Sequence, residues 1–193
     1  MHLVLASASP RRAELLAAAG FRFECLAVDV DERVWQGETP ERYVRRLASE
    51  KAAHAATLRP DAIVVGADTA VVVDGEILGK PCDDGDAARM LQRVAGRAHD
   101  VLTGVSLRSG ALEVGSVATT AVVFAPLTPA EIRWYVESGE GRDKAGAYAI
   151  QGLASRFITR LEGSYSNVVG LPVACVYELL GQISGRGPAD QLI

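Results

Sequence analysis

The chain is 193 residues long, with 49% apolar and 23% charged residues, which is ordinary for a globular protein with one substantial core. A formal net charge of −4 argues against broad electrostatic binding to nucleic acid or anionic membranes, although a few local cations can still hold a compact anionic ligand. The sequence has neither a signal-peptide pattern nor an apolar run long enough to cross a bilayer, so we expect a cytoplasmic protein.

The first residues predict a strand, a turn and a helix. An apolar strand at 3–6 precedes Ser9, whose residue type is favoured at the N-cap, and Pro10 suits the first helical position. The helix is expected to end near Gly20. Strand–turn–helix units of this kind commonly bind phosphate at the helix N-terminus.

Two arginines in the first turn of this helix support a bound anion. Arg11 and Arg12 lie where the partial positive charge of the helix N-terminus repels cations. Together with Ser7 and the unpaired N–H groups, they predict a phosphate site. The alternative is that both arginines are solvated surface residues.

The next third of the chain predicts a short strand, a long helix and a hairpin. The strand covers 23–28, and Thr39-Pro40 opens a helix that continues to about Thr57. An apolar strand follows, with a break at 66–69, and Asp74-Gly75 marks a hairpin turn.

The second half alternates helices and strands, which is typical of an α/β fold. The pattern predicts a helix at 84–94, strands at 99–107 and 112–124, a helix that opens with the capping box Thr128–Glu131 and ends at Gly139, a strand at 157–160 and a last helix at 172–180. We expect a single domain over 1–181 and a loosely ordered tail at 182–193.

Cysteine and histidine usage argues against disulfides and against a zinc site. Cys25, Cys82 and Cys175 are isolated and predict reduced, buried thiols. The three histidines are far apart in the sequence.

Two carboxylates are candidates for metal binding. Asp68 follows an apolar run and is expected where a buried strand ends, a position where it can bind a divalent cation or take a proton from water. The alternative for Asp68 is a turn or cap. Glu32, in the stretch "DVDE", is either a metal ligand or part of a solvated acidic turn.

Two lysines are candidates for phosphate binding. Lys51 shares a helix with Arg42, Arg45 and Arg46, so a solvated basic face is the default interpretation. Lys80 ends "GEILGK", which is one residue too short for a P-loop and is followed by proline. It is either a point charge for a phosphate or a surface lysine.

The glycine-spaced stretch "GRDKAGAYAIQG" predicts a ligand-binding loop rather than a merely mobile one. Asp143, Lys144 and Gln151 offer polar groups around the aromatic ring of Tyr148. With the residues above they form a set of cations and carboxylates near strand ends and turns, which suits a polyphosphate bound with a hard divalent cation.

Eight stretches taken in order are specific enough to indicate a family, and they cover nearly the whole chain from Leu3 to about Leu180. The sequence resembles the Maf family of nucleoside triphosphate pyrophosphatases through "LASASPRRAELL", "VDE", "SEKA", "GADT", "GKP", "HDVLTGV", "DKAGAYAIQG" and "GSYSNVVGLP". The resemblance implies a long mixed twisted sheet with flanking helices, forming two lobes about a central cleft as in inosine triphosphatases.

The resemblance also implies an activity, namely hydrolysis of a nucleoside triphosphate to the monophosphate and pyrophosphate with Mg2+ or Mn2+, often by a homodimer. Asp68 would be the catalytic base, and Glu32 and Asp68 would hold the metal. The triphosphate would be bound by Ser7, Arg12, Lys51 and Lys80, with Asp143 and Lys144 also at the substrate.

Three positions match the family members that act on dTTP and UTP. These are Arg11 after the Ser-Pro pair, Thr69 after the aspartate of "GAD", and Gln151 before the glycine of "AYAIQG". Members that act on 7-methyl-GTP tend to carry an aromatic residue, Gln and Glu there. Two departures are Gly141, where many relatives have proline, and Ala95, where serine is common. The first is expected to loosen the loop that carries Asp143 and Lys144.

Two alternatives to this function stay open at the level of the sequence. The first is a broader pyrophosphatase that accepts modified nucleotides or CTP. The second is a nucleotide-binding regulator of septum formation, the phenotype after which the family is named. A pure binder would gain little from carboxylates beside the phosphates, because they repel the ligand unless a metal intervenes.

Overall fold

A seven-stranded mixed sheet forms the centre of the computed structural model, which describes residues 2–185. The strands are β1 (Leu3–Ala6), β2 (Glu24–Cys25), β3 (Ile63–Val73), β4 (Glu76–Leu78), β5 (Ala98–Ser109), β6 (Leu112–Phe124) and β7 (Ile158–Glu162). The helices are α1 (Pro10–Ala18), α2 (Pro40–Leu58), α3 (Asp84–Val94), α4 (Pro129–Glu137), α5 (Tyr165–Val169) and α6 (Val173–Ser184).

The sheet is mixed because it combines parallel and antiparallel strand pairs. The order is β2-β1-β3-β5-β6-β7, and β4 pairs with β3 outside this path. The β1 strand runs parallel to β2 and β3, whereas the remaining pairs are antiparallel. This confirms the expected α/β class with a long mixed sheet.

Helix α2 lies very close to the sheet because two glycines face it. A Cβ atom added to Gly66 would lie 2.1 Å from the carbonyl oxygen of Ala48, and one added to Gly104 would lie 2.2 Å from that of Val44. The predicted strand break at 66–69 is therefore wrong. β3 is continuous and pairs with β5 from Val64 to Val72, and Gly66 serves helix packing.

Buried apolar side chains form two large clusters around the sheet. One gathers α3, α4 and the later part of β3, with Met90 and Tyr135 among its members. The other gathers β1, α1 and α6 and includes Leu5, Leu16 and Leu180. No helix in the described range 2–185 combines the length and hydropathy that a membrane span needs.

Several predicted boundaries need correction. The strand expected at 23–28 is reduced to Glu24–Cys25, and α5 was not expected. The last helix continues through Ser184, so the first residues of the expected loose tail are helical, and residues 186–193 lie outside the described part.

The three cysteines are free, but the expected burial is wrong for two of them. Cys25 lies on the short edge strand β2 and Cys82 in the turn before α3, and both are exposed; Cys175 is partly buried.

Candidate active site

The predicted site residues line a single cleft with a volume of about 550 Å³. They come from the turn after β1 and the start of α1, the loop before α2, α2 itself, β3, the segment after β4 and the loop after α4. All eleven are among its lining residues: Ser7, Arg11, Arg12, Glu32, Lys51, Asp68, Thr69, Lys80, Asp143, Lys144 and Gln151.

Asp68 lies inside a strand rather than at the end of one, which corrects the sequence expectation. β1 makes its last pair with β3 between Ala6 and Gly66, so β3 continues past the end of its parallel neighbour. Asp68 is two residues beyond that point, 7% exposed, and lines the cleft. The shorter neighbouring strand creates the opening that the prediction had assigned to a strand end.

Lys51 joins the two carboxylates. Its Nζ donates to Glu32 Oε1 at 2.6 Å and to Asp68 Oδ1 at 2.7 Å, and the residue is 8% exposed. The default interpretation of Lys51 as part of a solvated basic face is therefore wrong. Burial raises the pKa of Glu32, but the hydrogen bond and charge of Lys51, with Lys80 and Arg12, outweigh it and hold that pKa below its usual range.

The Arg12 guanidinium connects three parts of the cleft. It donates from Nε to the Gly170 carbonyl at 2.8 Å, from Nη1 to Ser7 Oγ at 3.3 Å and from Nη2 to Thr69 Oγ1 at 3.1 Å. Burial lowers the pKa of Arg12, while the charges of Asp68 and Glu32 oppose this effect. These contacts hold a cation at the N-terminus of α1.

The start of α1 retains capacity to bind an anion. Ser9 is the N-cap residue as predicted, but its side chain makes no capping hydrogen bond. The Ser9 N–H donates instead to Ser7 Oγ at 3.1 Å. The N–H groups of the first helical turn are therefore not satisfied by a side-chain cap, as in phosphate-binding turns.

Arg11 forms an ion pair across the cleft with the loop after α4. Its Nη1 lies 3.0 Å from Asp143 Oδ2, and Lys144 Nζ lies 2.5 Å from Asp143 Oδ1. The Lys144 hydrogen bond, opposed by burial and aided by Arg11, lowers the pKa of Asp143 to about 2. A second donor contact of Lys144 Nζ reaches the Glu140 carbonyl at 2.8 Å. Asp143 is thus ionised and joins two cations.

The predicted specificity residues differ in how their side chains are held. The Thr69 hydroxyl is within hydrogen-bond distance of Arg12, of Thr103 Oγ1 at 2.9 Å and of the Gly170 carbonyl at 3.3 Å. The Gln151 side chain is exposed in a turn and has no hydrogen-bond partner within residues 2–185. Thr69 is therefore prearranged, whereas Gln151 is free to reorient toward a ligand.

The loop that carries Gln151 depends on a pair that the sequence analysis missed. Glu140 accepts hydrogen bonds from Tyr135 Oη at 2.7 Å and from the Leu153 N–H at 2.8 Å, and Tyr135 Oη accepts from the Ala149 N–H at 3.1 Å. No motif signalled this pair, because it forms only once α4 and the loop pack together.

Gly141 lies where the two sides of this loop approach each other closely. A Cβ added at Gly141 would lie 2.1 Å from the carbonyl oxygen of Ala147. The missing side chain thus permits a close approach between the two sides of the loop. The loosening expected from the absence of the proline that many relatives carry at this position stays a prediction.

Glu32 and Asp68 fit a divalent cation whose coordination shell would be completed by substrate phosphates and water. In the described range, no group of three or more His, Cys, Asp or Glu side chains is arranged to hold a metal. Glu32 and Asp68 nevertheless converge on one cation, the Lys51 ammonium. Mg2+ typically binds through one or two carboxylates together with waters and substrate phosphates, so this pair suits it.

A family model described as Maf-like protein matches residues 2–183. The chain belongs to this family. The match confirms the resemblance drawn from the sequence motifs, and it covers every residue of the cleft named above.

Three curated relatives of this Maf-like chain share the name dTTP/UTP pyrophosphatase. This chain is 51% identical over 180 residues to a dTTP/UTP pyrophosphatase of Symbiobacterium thermophilum, with 93% of each chain covered. It is 54% identical over 193 residues to the protein of that name from Anaeromyxobacter sp. strain Fw109-5, covering 97% of this chain and 92% of the relative. The Vibrio cholerae protein of the same name is 50% identical over 179 residues, covering 92% of this chain and 96% of the relative.

Solved structures support the fold of this Maf-like chain. A HAM1 protein from Coxiella burnetii superposes with a TM-score of 0.55 at 15% identity, and the Ham1 protein of Staphylococcus aureus with 0.52 at 14%. Each comparison covers 96% of this chain and 98% of the other. At these identities the likeness concerns the fold alone.

Proposed function

We propose that this protein hydrolyses dTTP and UTP to the nucleoside monophosphate and pyrophosphate. The observation that carries the proposal is the convergence of two carboxylates and a buried ammonium, Glu32, Asp68 and Lys51, in a cleft that Arg12 and the N-terminus of α1 also line. The names of relatives at about half identity over nearly the whole chain support the same activity.

Four side chains bind the triphosphate. Arg12 and Lys51 are held in place by hydrogen bonds, Ser7 accepts from Arg12, and Lys80 lies on the cleft wall after β4. The N–H groups of the first turn of α1 add donors. Most of the rate enhancement in phosphoryl-type reactions comes from such positioning and charge stabilisation.

Glu32 and Asp68 would hold a divalent cation, Mg2+ or Mn2+. The chemistry that such a cation supplies is neutralisation of phosphate charge and polarisation of the phosphoryl oxygen. Lys51 limits the repulsion between the two carboxylates, which keeps both oxygens in the cleft before substrate arrives.

Asp68 orients the attacking water and accepts its proton. The water oxygen forms a bond to the α-phosphorus on the side opposite the oxygen that bridges to the β-phosphate. The bond between the α-phosphorus and this bridging oxygen breaks, and pyrophosphate leaves with the electron pair. Burial of Asp68 excludes bulk water from the base, and its hydrogen bond to Lys51 fixes its orientation.

Pyrimidine selection comes from Arg11, Thr69 and Gln151. Thr69 is fixed by Arg12, and Arg11 by Asp143, so the two are presented in defined positions. The free amide of Gln151 suits it to hydrogen-bond a base edge. Asp143 and Lys144 complete the substrate side of the loop.

Free thiols and the sequence pattern support a cytoplasmic location, and the family resemblance supports a homodimer. The alternatives are a broader pyrophosphatase acting on CTP or 7-methyl-GTP and a nucleotide-binding regulator of septum formation.

A nucleotide panel tests the function directly. The protein is incubated with dTTP, UTP, CTP, 7-methyl-GTP or ITP and with Mg2+ or Mn2+, and pyrophosphate and orthophosphate are measured separately. We expect pyrophosphate from dTTP and UTP and little from the purines. Orthophosphate would move the attack away from the α-phosphorus, and tight binding of dTTP that survives overnight with Mg2+ would favour the regulator.

A further inference from the structure

Arg46 is a largely buried arginine in α2 that contacts none of the proposed catalytic and phosphate-binding side chains and yet holds the loop before α2. The sequence pattern had placed it on a solvated basic face, but its side chain is only 11% exposed. It lies on the same helix as Lys51. Its neighbour Arg45 does follow the expectation, since it is 55% exposed and pairs with Glu41 on the helix surface.

The Arg46 guanidinium binds the backbone on both sides of Glu32. Nη1 donates to the carbonyl oxygen of Asp31 at 3.3 Å, and Nη2 donates to that of Arg33 at 3.0 Å. These two carbonyls flank the one residue of the loop whose carboxylate enters the cleft. A side chain that holds both neighbours of Glu32 fixes where its Cα lies.

Three further contacts hold the guanidinium itself. Glu38, whose side chain is 6% exposed, accepts from Nε at 2.7 Å and from Nη2 at 2.9 Å in a two-pronged ion pair. Glu50 lies 3.4 Å from Nη1. The Trp35 ring lies 4.0 Å from the guanidinium carbon, which is within cation–π distance. A lysine could not reproduce this planar set of donors.

Glu32 needs such support because its segment has no regular structure. Residues 26–39 lie between β2 and α2, and the Glu32 side chain is 52% exposed. Its carboxylate is held by Lys51, and its backbone carbonyl accepts from Tyr43 Oη at 3.0 Å. Tyr43, Arg46 and Lys51 all belong to α2, so one helix positions the whole loop.

We propose that Arg46 is a positioning residue that places the Glu32 carboxylate for metal binding. The inference rests on the role proposed above for Glu32. Loss of the guanidinium releases the loop while leaving Lys51, Asp68 and Arg12 in place, because none of their contacts involves Arg46.

The variants are Arg46→Lys and Arg46→Gln, with Arg45→Gln as the matched control on the neighbouring exposed position. We expect kcat/KM for dTTP to fall by about 100-fold in both Arg46 variants, the loss typical of a displacement near 1 Å. The Arg45 control should stay within about twofold. Near-normal activity of both folded Arg46 variants would overturn the proposal.

A double-mutant cycle separates positioning of Glu32 from general structural support. Glu32→Gln is combined with Arg46→Gln, and kcat/KM is measured for all four proteins. We expect the second substitution to add less than about threefold once Glu32 is gone, since coupled residues are not additive. Additive losses would show that Arg46 acts elsewhere. Full activity of Glu32→Gln would instead remove the proposed role of Glu32, and this inference with it.

A second readout does not depend on activity. Arg33, 87% exposed in the same loop, is a trypsin site, and Trp35 fluorescence reports its stacking on Arg46 when measured in a Trp134→Phe background. We expect at least about tenfold faster cleavage after Arg33 and altered Trp35 emission in the Arg46 variants at unchanged helical circular dichroism. Unchanged cleavage and emission would mean that Arg46 does not hold the loop.

Discussion

Lys51 donates a hydrogen bond to Asp68 at 2.7 Å, and both side chains are about nine-tenths buried. Removing one partner of a buried ion pair typically costs about 3–5 kcal/mol, because the other charge stays buried without compensation. The Lys51–Asp68 pair therefore affects the stability of the fold as well as the chemistry of the site. An informative substitution at either residue has to keep the hydrogen bond while changing the charge.

Asp68→Asn meets this requirement, since its amide oxygen can still accept from Lys51. We expect kcat for dTTP to fall by about 10²–10⁴-fold, the usual contribution of general acid–base catalysis, because an amide cannot take the proton of water. Nucleotide binding, measured by calorimetry, should be largely retained. Asp61→Asn, at an exposed aspartate in the turn after α2, is the matched control. Turnover at the original rate in Asp68→Asn would refute the assignment of Asp68 as the base.

Gln151→Ala tests selection of the base. Gln151 has an exposed side chain without a partner in the described part of the chain, so its removal should leave the fold unchanged. We expect kcat/KM for dTTP and UTP to fall by about 10-fold, as for loss of one or two hydrogen bonds of about 1 kcal/mol each. Gln92→Ala, on the exposed face of α3, serves as the control. Equal losses for all nucleotides would argue against a role in base selection.

The buried His99 side chain is expected to make the free energy of unfolding depend on pH. It is 4% exposed and hydrogen-bonded to Tyr148 Oη at 2.7 Å, and burial, with a smaller effect of Arg97, lowers its pKa to about 4. The unfolded chain takes up this proton below pH 6.5, before the folded chain does. Stability should therefore fall as the pH drops from about 6.5 to about 4, by about 3 kcal/mol in total from this residue.

The measurement is the melting temperature between pH 7 and pH 4.5 for the parent and for His99→Gln. Glutamine keeps a hydrogen-bonding group beside Tyr148 but does not titrate, so its profile should be flatter. His54→Gln, at an exposed histidine of α2, should follow the parent. Identical slopes for the parent and His99→Gln would show that His99 does not set this dependence.

Gly66→Ala tests the close packing of α2 on the sheet. The added Cβ would lie 2.1 Å from the Ala48 carbonyl oxygen and 2.7 Å from the Ala52 nitrogen, so the helix must move. We expect a loss of unfolding free energy of about 3 kcal/mol or more, at the upper end for overpacked sites. Activity should fall as well, because Lys51 moves with α2.

Gly79→Ala is the control for this substitution, since no atom lies within 4 Å of a Cβ added there. Urea denaturation of both variants measures the difference. A Gly66→Ala protein as stable as the Gly79→Ala protein would mean that α2 does not rest on β3 as described.

Local chemistry allowed much of the fold to be predicted from sequence. The capping box Thr128–Glu131, the Asp74-Gly75 turn and the bounds of α3 at Asp84–Val94 agree with the structure, because each depends on residues a few positions apart. The site residues were found by their motifs, and the shared cleft confirms only that they lie together.

The tertiary structure decided what depends on contacts between distant segments. Glycine at 66 looked like a strand break in the sequence, and only the approach of α2 explains it. The sequence predicts a surface cation at Arg46, and only the packing of the loop at 31–38 against this side chain accounts for its burial. The Tyr135–Glu140 pair left no motif at all. The sequence alone thus determined the chemistry available and the local elements, whereas burial and long-range hydrogen bonding, which arise only on packing, decided which charges became the site and which residues hold it.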